Sequence, residues 1–295
     1  MQKNSHIRIL TFDIEDWFHI LHKYPDNILN KWDNYEVRIY NNMDKIFQIL
    51  SDYNIKATFF VIGYIARKHP EIIKRIHELG YEVAAHSDMH KVAYLQSRDE
   101  FKQDLFECIN SIQNITGEKV ITYRAPGFSI KKQNVWAFEV LKELGIEYDA
   151  SIFPAQREGG GFNDFSESTP LIINYKGMSM KEFPMSVDSF CGNKFVATGG
   201  GYFRFFPYWV IKKLVTNSDY TMTYFHPRDF DPNQPMLDGL SIKRKFKSYY
   251  NLSNAYPKLI KLVNDFDFID MKEASQLVDW NNVPIVDLNH YSDNK

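Results

Sequence analysis

Two cysteines, Cys108 and Cys191, are too few for a disulfide framework, and neither stands in a C-x-x-C or zinc-finger spacing. This excludes a fold stapled by disulfides and fits a reducing compartment. An excess of one charge is lacking as well. The 35 Lys and Arg against 37 Asp and Glu leave a formal net charge of -2, which excludes the basic surplus that sequence-independent binding to nucleic acid requires. No apolar run is long enough to span a bilayer. The opening MQKNSHIRILTF holds no apolar stretch of signal-peptide length, so a cytoplasmic protein without a membrane span is expected.

What is present is an ordinary globular composition. Hydrophobic residues at 44% and charged residues at 24% can build a sizeable core over 295 residues. Cys108 falls on an apolar stripe with Phe101, Leu105, Ile109 and Ile112 and reads as a small buried hydrophobe. Apolar runs at Ile7–Phe12, Ala57–Ile62, Tyr81–Ala85, Val120–Tyr123 and Thr221–Phe225 read as strands. Between them, helical spacing appears over Met43–Leu50, Pro70–Gly80, Phe101–Ile115 and Asn134–Leu144, and later over Tyr208–Leu214 and Tyr256–Val263. This alternation predicts an α/β protein with a largely parallel sheet, either doubly wound or closed as a barrel. From Pro154 to Gly201 the rhythm breaks, and loops around a site are expected. No linker-like run or internal repeat divides residues 1–295, so a single domain is expected, with 281–295 as a loose tail.

Several strand-like runs end in residues suited to hydrolysis: Asp13–Asp16, His86–His90, Arg124–Phe128, Asp149–Ser151 and His226–Asp229. Parallel folds gather active sites at the C-terminal ends of their strands. His86 and His90 are four residues apart, a spacing that lets two imidazoles reach one metal. Asp13, Glu15 and Asp16 offer carboxylates, and a two-His, one-carboxylate set leaves positions open for water and substrate.

The ordered stretches TFDIED, ATFFVIG, HSDMH, YRAPGFS and YFHPRDFDP resemble the successive motifs of the polysaccharide deacetylases, the NodB-homology or carbohydrate esterase family 4. The resemblance runs from Ile7 to Phe268, with catalytic motifs over 11–229. The stretch over 230–280 is similar to a subgroup linked to exopolysaccharide and surface-glycan synthesis. It implies a distorted (β/α) barrel, a divalent metal that is usually zinc, and removal of N-acetyl groups from an amino sugar. By position, Asp13 resembles the catalytic base, His86 and His90 the metal ligands, Arg124 the residue that positions the base, and His226 the acid.

Where the family motif places a metal-binding Asp directly after the base, this chain has Ile14, which cannot ligate. The third ligand is then Asp16, favoured for its short side chain in a tight loop, or Glu15, which points the same way as Asp13 on an extended chain. Asp149 either orients His226 or begins a turn with Ser151. Trp17, Phe128, Tyr202 and Phe203 are candidates to line a sugar cleft. Gly199–Gly201 lacks the GK[ST] ending of a phosphate loop and reads as a flexible rim, while His19 and Asp188 take no role. Two other readings stand beside the deacetylase: hydrolysis of a small ureide or cyclic amide, and a catalytically silent carbohydrate-binding protein. The oligomeric state is left open.

Overall fold

The computed structural model describes residues 6–19, 29–157, 159–190 and 193–291; Cys191 lies outside them. In chain order the strands are β1 (Ile7–Ile9), β2 (Thr11–Ile14), β3 (Thr58–Val61), β4 (Glu82–Ala85), β5 (Thr122–Tyr123), β6 (Tyr148–Asp149), β7 (Leu171–Tyr175), β8 (Met178–Glu182), β9 (Asp188–Phe190), β10 (Asn193–Phe195), β11 (Tyr220–Met222) and β12 (Ile285–Asp287). The helices are α1 (Ile39–Asp52), α2 (Gly63–Lys68), α3 (Pro70–Glu78), α4 (Arg98–Thr116), α5 (Ala137–Glu143), α6 (Gly200–Phe205), α7 (Tyr208–Thr216), α8 (Ile242–Tyr249), α9 (Ala255–Asp265) and α10 (Met271–Leu277).

The main sheet has eight strands in the order β12-β7-β8-β6-β5-β4-β3-β2, parallel throughout except for the antiparallel β7–β8 pair. On the free side of β2, the chain after β11 runs alongside. Asp13 N donates to Phe225 O at 2.8 Å and Phe225 N to Thr11 O at 3.2 Å, which brings the end of the β11 run, and with it His226, beside the end of β2. The expected α/β architecture is present, with helices packed on a parallel sheet. Strand residues such as Phe12, Phe59 and Ile14 pack against Met43, Ile46, Phe47 and Ile73 of the covering helices in one apolar core. Cys108 is fully buried in it, beside Phe101 and Leu105. Among the described residues, no helix is long and apolar enough to cross a membrane.

The predicted helices form with small boundary changes. α4 begins earlier than the apolar stripe, at a capping box in which Ser97 accepts from Glu100 N and the Glu100 carboxylate accepts from Ser97 N. Two expectations fail. The stretch read as loops contains the β7–β8 hairpin, closed by a two-residue turn with Lys176 at φ 45° and Gly177 at φ 77°. Both residues are left-handed, as the tight turn between two right-twisted strands requires. The stretch read as a loose tail contributes β12, paired in parallel with β7, and Leu288 just beyond it is fully buried. Leu288→Ala is therefore expected to cost about 2–5 kcal/mol, measured by denaturant unfolding; a change within about 0.5 kcal/mol, the level of an uncritical surface site, would mean that the segment does not belong to the core.

Candidate active site

Asp13 is on β2, where successive side chains alternate between the two sides of the sheet. Ile14 enters the apolar core, so Asp13 and Glu15 emerge together on the other side. Asp16 does not join them. Its carboxylate accepts from Trp17 N at 2.7 Å, Arg38 N at 2.9 Å and Ile39 N at 3.1 Å, so it satisfies orphan amides at the start of α1 from a distance. Burial nonetheless raises its pKa, against the pull of those three donors. The preference for Asp16 as third metal ligand does not fit this geometry, in which Glu15 and not Asp16 lies with His86 and His90.

His86 follows β4 directly, and His90 closes a tight loop rather than a helical turn. Ser87 at φ 70° and His90 at φ 53° are non-glycine residues in the left-handed region, and such strain persists only where surroundings over-determine it. They do so here. Asp104 accepts from Asp88 N at 2.9 Å and Met89 N at 3.3 Å, Arg67 grips the Asp88 carboxylate, and Gly63 N and Tyr64 N at the start of α2 donate to Ser87 O and Asp88 O. A side chain at Gly63 would collide with Asp88, so the loop can approach α2 only over a glycine.

Glu15, His86 and His90 converge. His90 Nε2 lies 2.9 Å and His86 Nε2 3.5 Å from Glu15 Oε1, and one ligand atom from each of the three residues lies within 4.8 Å of the others. His86 Nδ1 is 2.7 Å from Arg124 O; by donating its proton there it leaves the Nε2 lone pair turned to the cluster. Both Nε2 atoms are buried and have no geometrically regular hydrogen-bond partner among the described residues. Two buried imidazole nitrogens converging on one carboxylate oxygen are a donor set that suits a divalent metal such as zinc. Burial alone would raise the pKa of Glu15, yet the imidazoles of His90, His226 and His86 outweigh it and hold the carboxylate well below its usual range.

Arg124, at the end of β5, is fully buried. Its Nη1 donates to Asp13 Oδ1 at 2.7 Å and to Thr11 Oγ1 at 2.8 Å, Nε donates to Ala150 O at 3.3 Å, and the guanidinium carbon stands 4.0 Å from the centre of the Phe60 ring. Asp13 Oδ1 is thereby engaged, while Oδ2 lies 3.9 Å from both His86 Nε2 and His226 Nε2.

His226 faces Asp13 from the far side, with 18% of its side chain exposed, more than Asp13, Glu15, His86 or His90. Its Nδ1 is 2.9 Å from Asp229 Oδ2, which also accepts from His226 N at 3.0 Å, so Nε2 points into the site. Burial would lower its pKa, but the charges of Asp229 and Glu15 raise it above the ordinary imidazole value. Asp229 is held far below the carboxylate range: its burial penalty is overcome by Arg204, bound directly to it, and by His226.

Asp149 does not take the part of orienting His226. Its carboxylate accepts from Ser151 N at 3.0 Å and Ser151 Oγ at 2.7 Å and pairs with buried Glu182, whose pKa is pushed well above its usual value by burial and by the Asp149 charge. The orienting carboxylate is Asp229, three residues after the histidine, a reading the sequence analysis did not make. Trp17 and Phe203 are core residues, and Phe128 is buried against Phe153 and Tyr224 beneath the site, so of the four proposed cleft aromatics only Tyr202 is open to solvent. Gly199–Gly201 is not a flexible rim but the start of α6, where Gly199 presses so closely on Tyr224 that a Cβ could not fit. His19 is buried and its pKa falls to about 3 through desolvation, which keeps it neutral as it accepts from Asp16 N. Asp188 accepts from Ala197 N within the loop before α6. A cavity of about 400 Å³ at the opposite ends of β5 and β6, lined by Lys119, Glu147 and Lys181 among others, lies apart from these groups.

Removing Arg124 would leave Asp13 buried and uncompensated. Arg124→Leu is expected to cost about 3–5 kcal/mol in chemical unfolding, and a loss within about 1 kcal/mol, as for an exposed ion pair, would show the pair to be dispensable.

Residues 7–148 match the family model "Polysaccharide deacetylase", and residues 150–276 match a second model, a domain of unknown function (DUF3473). A peptidoglycan-N-acetylglucosamine deacetylase of Bacillus cereus is 31% identical over 96 residues, 32% of this chain and 35% of that protein. A chitooligosaccharide deacetylase of Sinorhizobium fredii is 29% identical over 98 residues, 33% of this chain and 43% of its own length. The chain thus spans less than half the length of these curated relatives. Among solved structures, a candidate polysaccharide deacetylase from Mycobacterium smegmatis superposes with a TM-score of 0.66 at 18% identity, covering 96% of this chain and 93% of the other. A carbohydrate esterase family 4 pseudoenzyme from Bacillus anthracis gives 0.52 at 13% identity, covering 92% and 65%. The fold is therefore shared with a protein named a pseudoenzyme. Residues 7–148, just under half of the chain, thus match the polysaccharide deacetylase domain, the NodB-homology (carbohydrate esterase family 4) family.

Proposed function

We propose that this chain is a metal-dependent hydrolase that removes N-acetyl groups from an amino sugar of a surface polysaccharide or glycan precursor. The observation that carries the reading is the convergence of Glu15, His86 and His90 opposite an acid–base pair, Asp13 and His226, each oriented by its own buried partner. The names of the relatives, deacetylases of peptidoglycan and of chitooligosaccharide, support an N-acetylated sugar as substrate. Glu15, His86 and His90 would hold the ion, with zinc the best match to two imidazoles and a carboxylate. When bound, such an ion polarises the acetyl carbonyl and lowers the pKa of the attacking water.

The remaining work falls to this chain's own side chains. Asp13, fixed through Oδ1 by Arg124, uses Oδ2 to take a proton from water as the water oxygen attacks the carbonyl carbon. His226, protonated at Nε2 and held by Asp229, gives its proton to the amide nitrogen as the C–N bond breaks. Acetate and a free amino sugar leave, and the proton taken by Asp13 can return to His226 across the 3.9 Å that separates Oδ2 from Nε2. A silent carbohydrate-binding protein would not need both halves of this arrangement, and nothing in the site favours a ureide over an acetamide.

Metal content and turnover test different parts of the reading. Glu15→Ala, His86→Ala and His90→Ala should lose bound zinc by elemental analysis, whereas Asp16→Ala should retain it and lose about 1 kcal/mol of stability as a missing helix cap. Near-stoichiometric zinc in Glu15→Ala, or its loss in Asp16→Ala alone, would overturn the ligand assignment.

Asp13→Asn and His226→Ala should keep their metal while acetate release from N-acetylated chitooligosaccharides falls about 10²–10⁴-fold. Near-normal release from either variant would refute the mechanism. The acid must be protonated, so activity falls as pH rises through the raised pKa of His226. Asp229→Asn removes the charge that raises it and should move that alkaline limb to lower pH. An unmoved limb would assign the acid elsewhere.

A further inference from the structure

We propose that the surface formed by α6, the start of α7 and α8 docks onto an anionic lipid bilayer. The sequence SIKRKFKSYY places four cations and no acid within ten residues, and Asp238 is the single acid between Asp231 and Asp265. On a helix, residues 242, 243, 246, 247 and 250 fall on one side. All five are exposed, while Ser248 on the opposite side is buried. One face of α8 therefore carries Ile242 and Phe246 together with Lys243 and Lys247, is continued by Tyr250 just past the helix, and is flanked by Arg244 and Lys245.

The apolar part continues beyond α8. The Phe246 and Tyr250 rings are 4.7 Å apart, and Tyr250 meets Phe205 of α6 at 6.2 Å. Ile242 is 88% exposed, Trp209 70%, Phe205 55% and Phe246 52%, so α8, α6 and the start of α7 each present large apolar side chains to solvent, with Phe205, Tyr250 and Phe246 in one row. It is held rigidly. Arg204 of α6 donates to Lys247 O at 2.6 Å and Tyr250 O at 3.1 Å, and Lys258 Nζ caps the carbonyls of Phe203, Arg204 and Phe206.

Apolar and aromatic side chains amid cations are what an interfacial helix presents to anionic headgroups, and each cation near such a surface contributes about fivefold in binding. A neutral glycan offers no charge complementary to this cationic face and gives Ile242 nothing to stack on. A second copy would set like charges against like across a two-fold axis. Arg204 also grips Asp229, the carboxylate that orients His226, so the docked surface and the acid side of the site are two sides of one scaffold. A bilayer bound here would bring a lipid-carried sugar close to the mouth of the site.

Co-sedimentation of the full chain with vesicles of phosphatidylcholine, alone or mixed with phosphatidylglycerol, tests the proposal. Binding is expected only to the mixed vesicles and should weaken as salt is added. Lys243→Gln/Lys247→Gln should reduce it about 25-fold, and Ile242→Ser/Phe246→Ser at least about tenfold. Thermal melts that match the parent separate loss of the surface from loss of the fold; if a double variant melts early, Lys243→Gln alone, expected to lose about fivefold, replaces it.

Equal binding to neutral vesicles, no binding, or full binding by the variants would overturn the proposal. So would a concentration-dependent dimer abolished by Ile242→Ser/Phe246→Ser in a chain that ignores vesicles. Sedimentation is read without turnover, so its failure leaves the hydrolytic reading untouched.

Discussion

An extended chain cannot place adjacent side chains on the same side, and at the end of β2 that constraint organises the site. Asp13 and Glu15 emerge together because Ile14 between them is committed to the core. Asp13 can then meet Arg124 from β5 while Glu15 meets His86 and His90 from the end of β4. The next residue, Asp16, has left the strand and turns back to the amides of α1. A shift of one residue at this point would send Asp13 into the core and a hydrophobe into the site. The surrounding devices, the left-handed His90, the glycine under Asp88 and the buried guanidinium, all hold partners in register with those two carboxylates.

The site is built from two unequal contributions. Asp13, Glu15, His86, His90 and Arg124 lie within the span matched by the deacetylase model, whereas His226, Asp229 and Arg204 lie within 150–276, matched by the model of unknown function. The second span is therefore not an appendage. Its β7 and β8 continue the parallel sheet beyond β6, and its β11 run lies against β2 to bring His226 within 3.9 Å of Asp13. A buried ion pair is costly unless every charge is met. The Arg204–Asp229–His226 series meets that condition by tying the histidine to α6 and to the backbone at the end of α8.

Much of this was legible because the chemistry sits in short local patterns. HSDMH, YRAPGFS and the final His226 each follow an apolar run, and a parallel sheet brings such ends together without long-range knowledge. The choice between Glu15 and Asp16 was not legible, because it depends on where β2 stops and whether a distant helix start needs a cap. Asp229 lay in the same motif as His226 but is recognised only from the ring nitrogen it faces. The aromatic residues misled for a related reason: Trp17 and Phe203 have the composition of a sugar platform, and burial is decided by packing that a local reading does not contain. The β7–β8 turn at Lys176–Gly177 and the buried Leu288 carried weak local signals, since a two-residue turn and one leucine are common in sequence that does not pair.

The most direct test of the account is where a metal binds. Crystals of the chain grown with zinc, with diffraction recorded on both sides of the zinc absorption edge, would locate the ion by its anomalous signal. The expected result is a single strong peak about 2.0–2.2 Å from Glu15 Oε1, His86 Nε2 and His90 Nε2, with Asp16 still bound to the amides of α1. A peak on Asp16, or none at this cluster in crystals that carry zinc elsewhere, would contradict it.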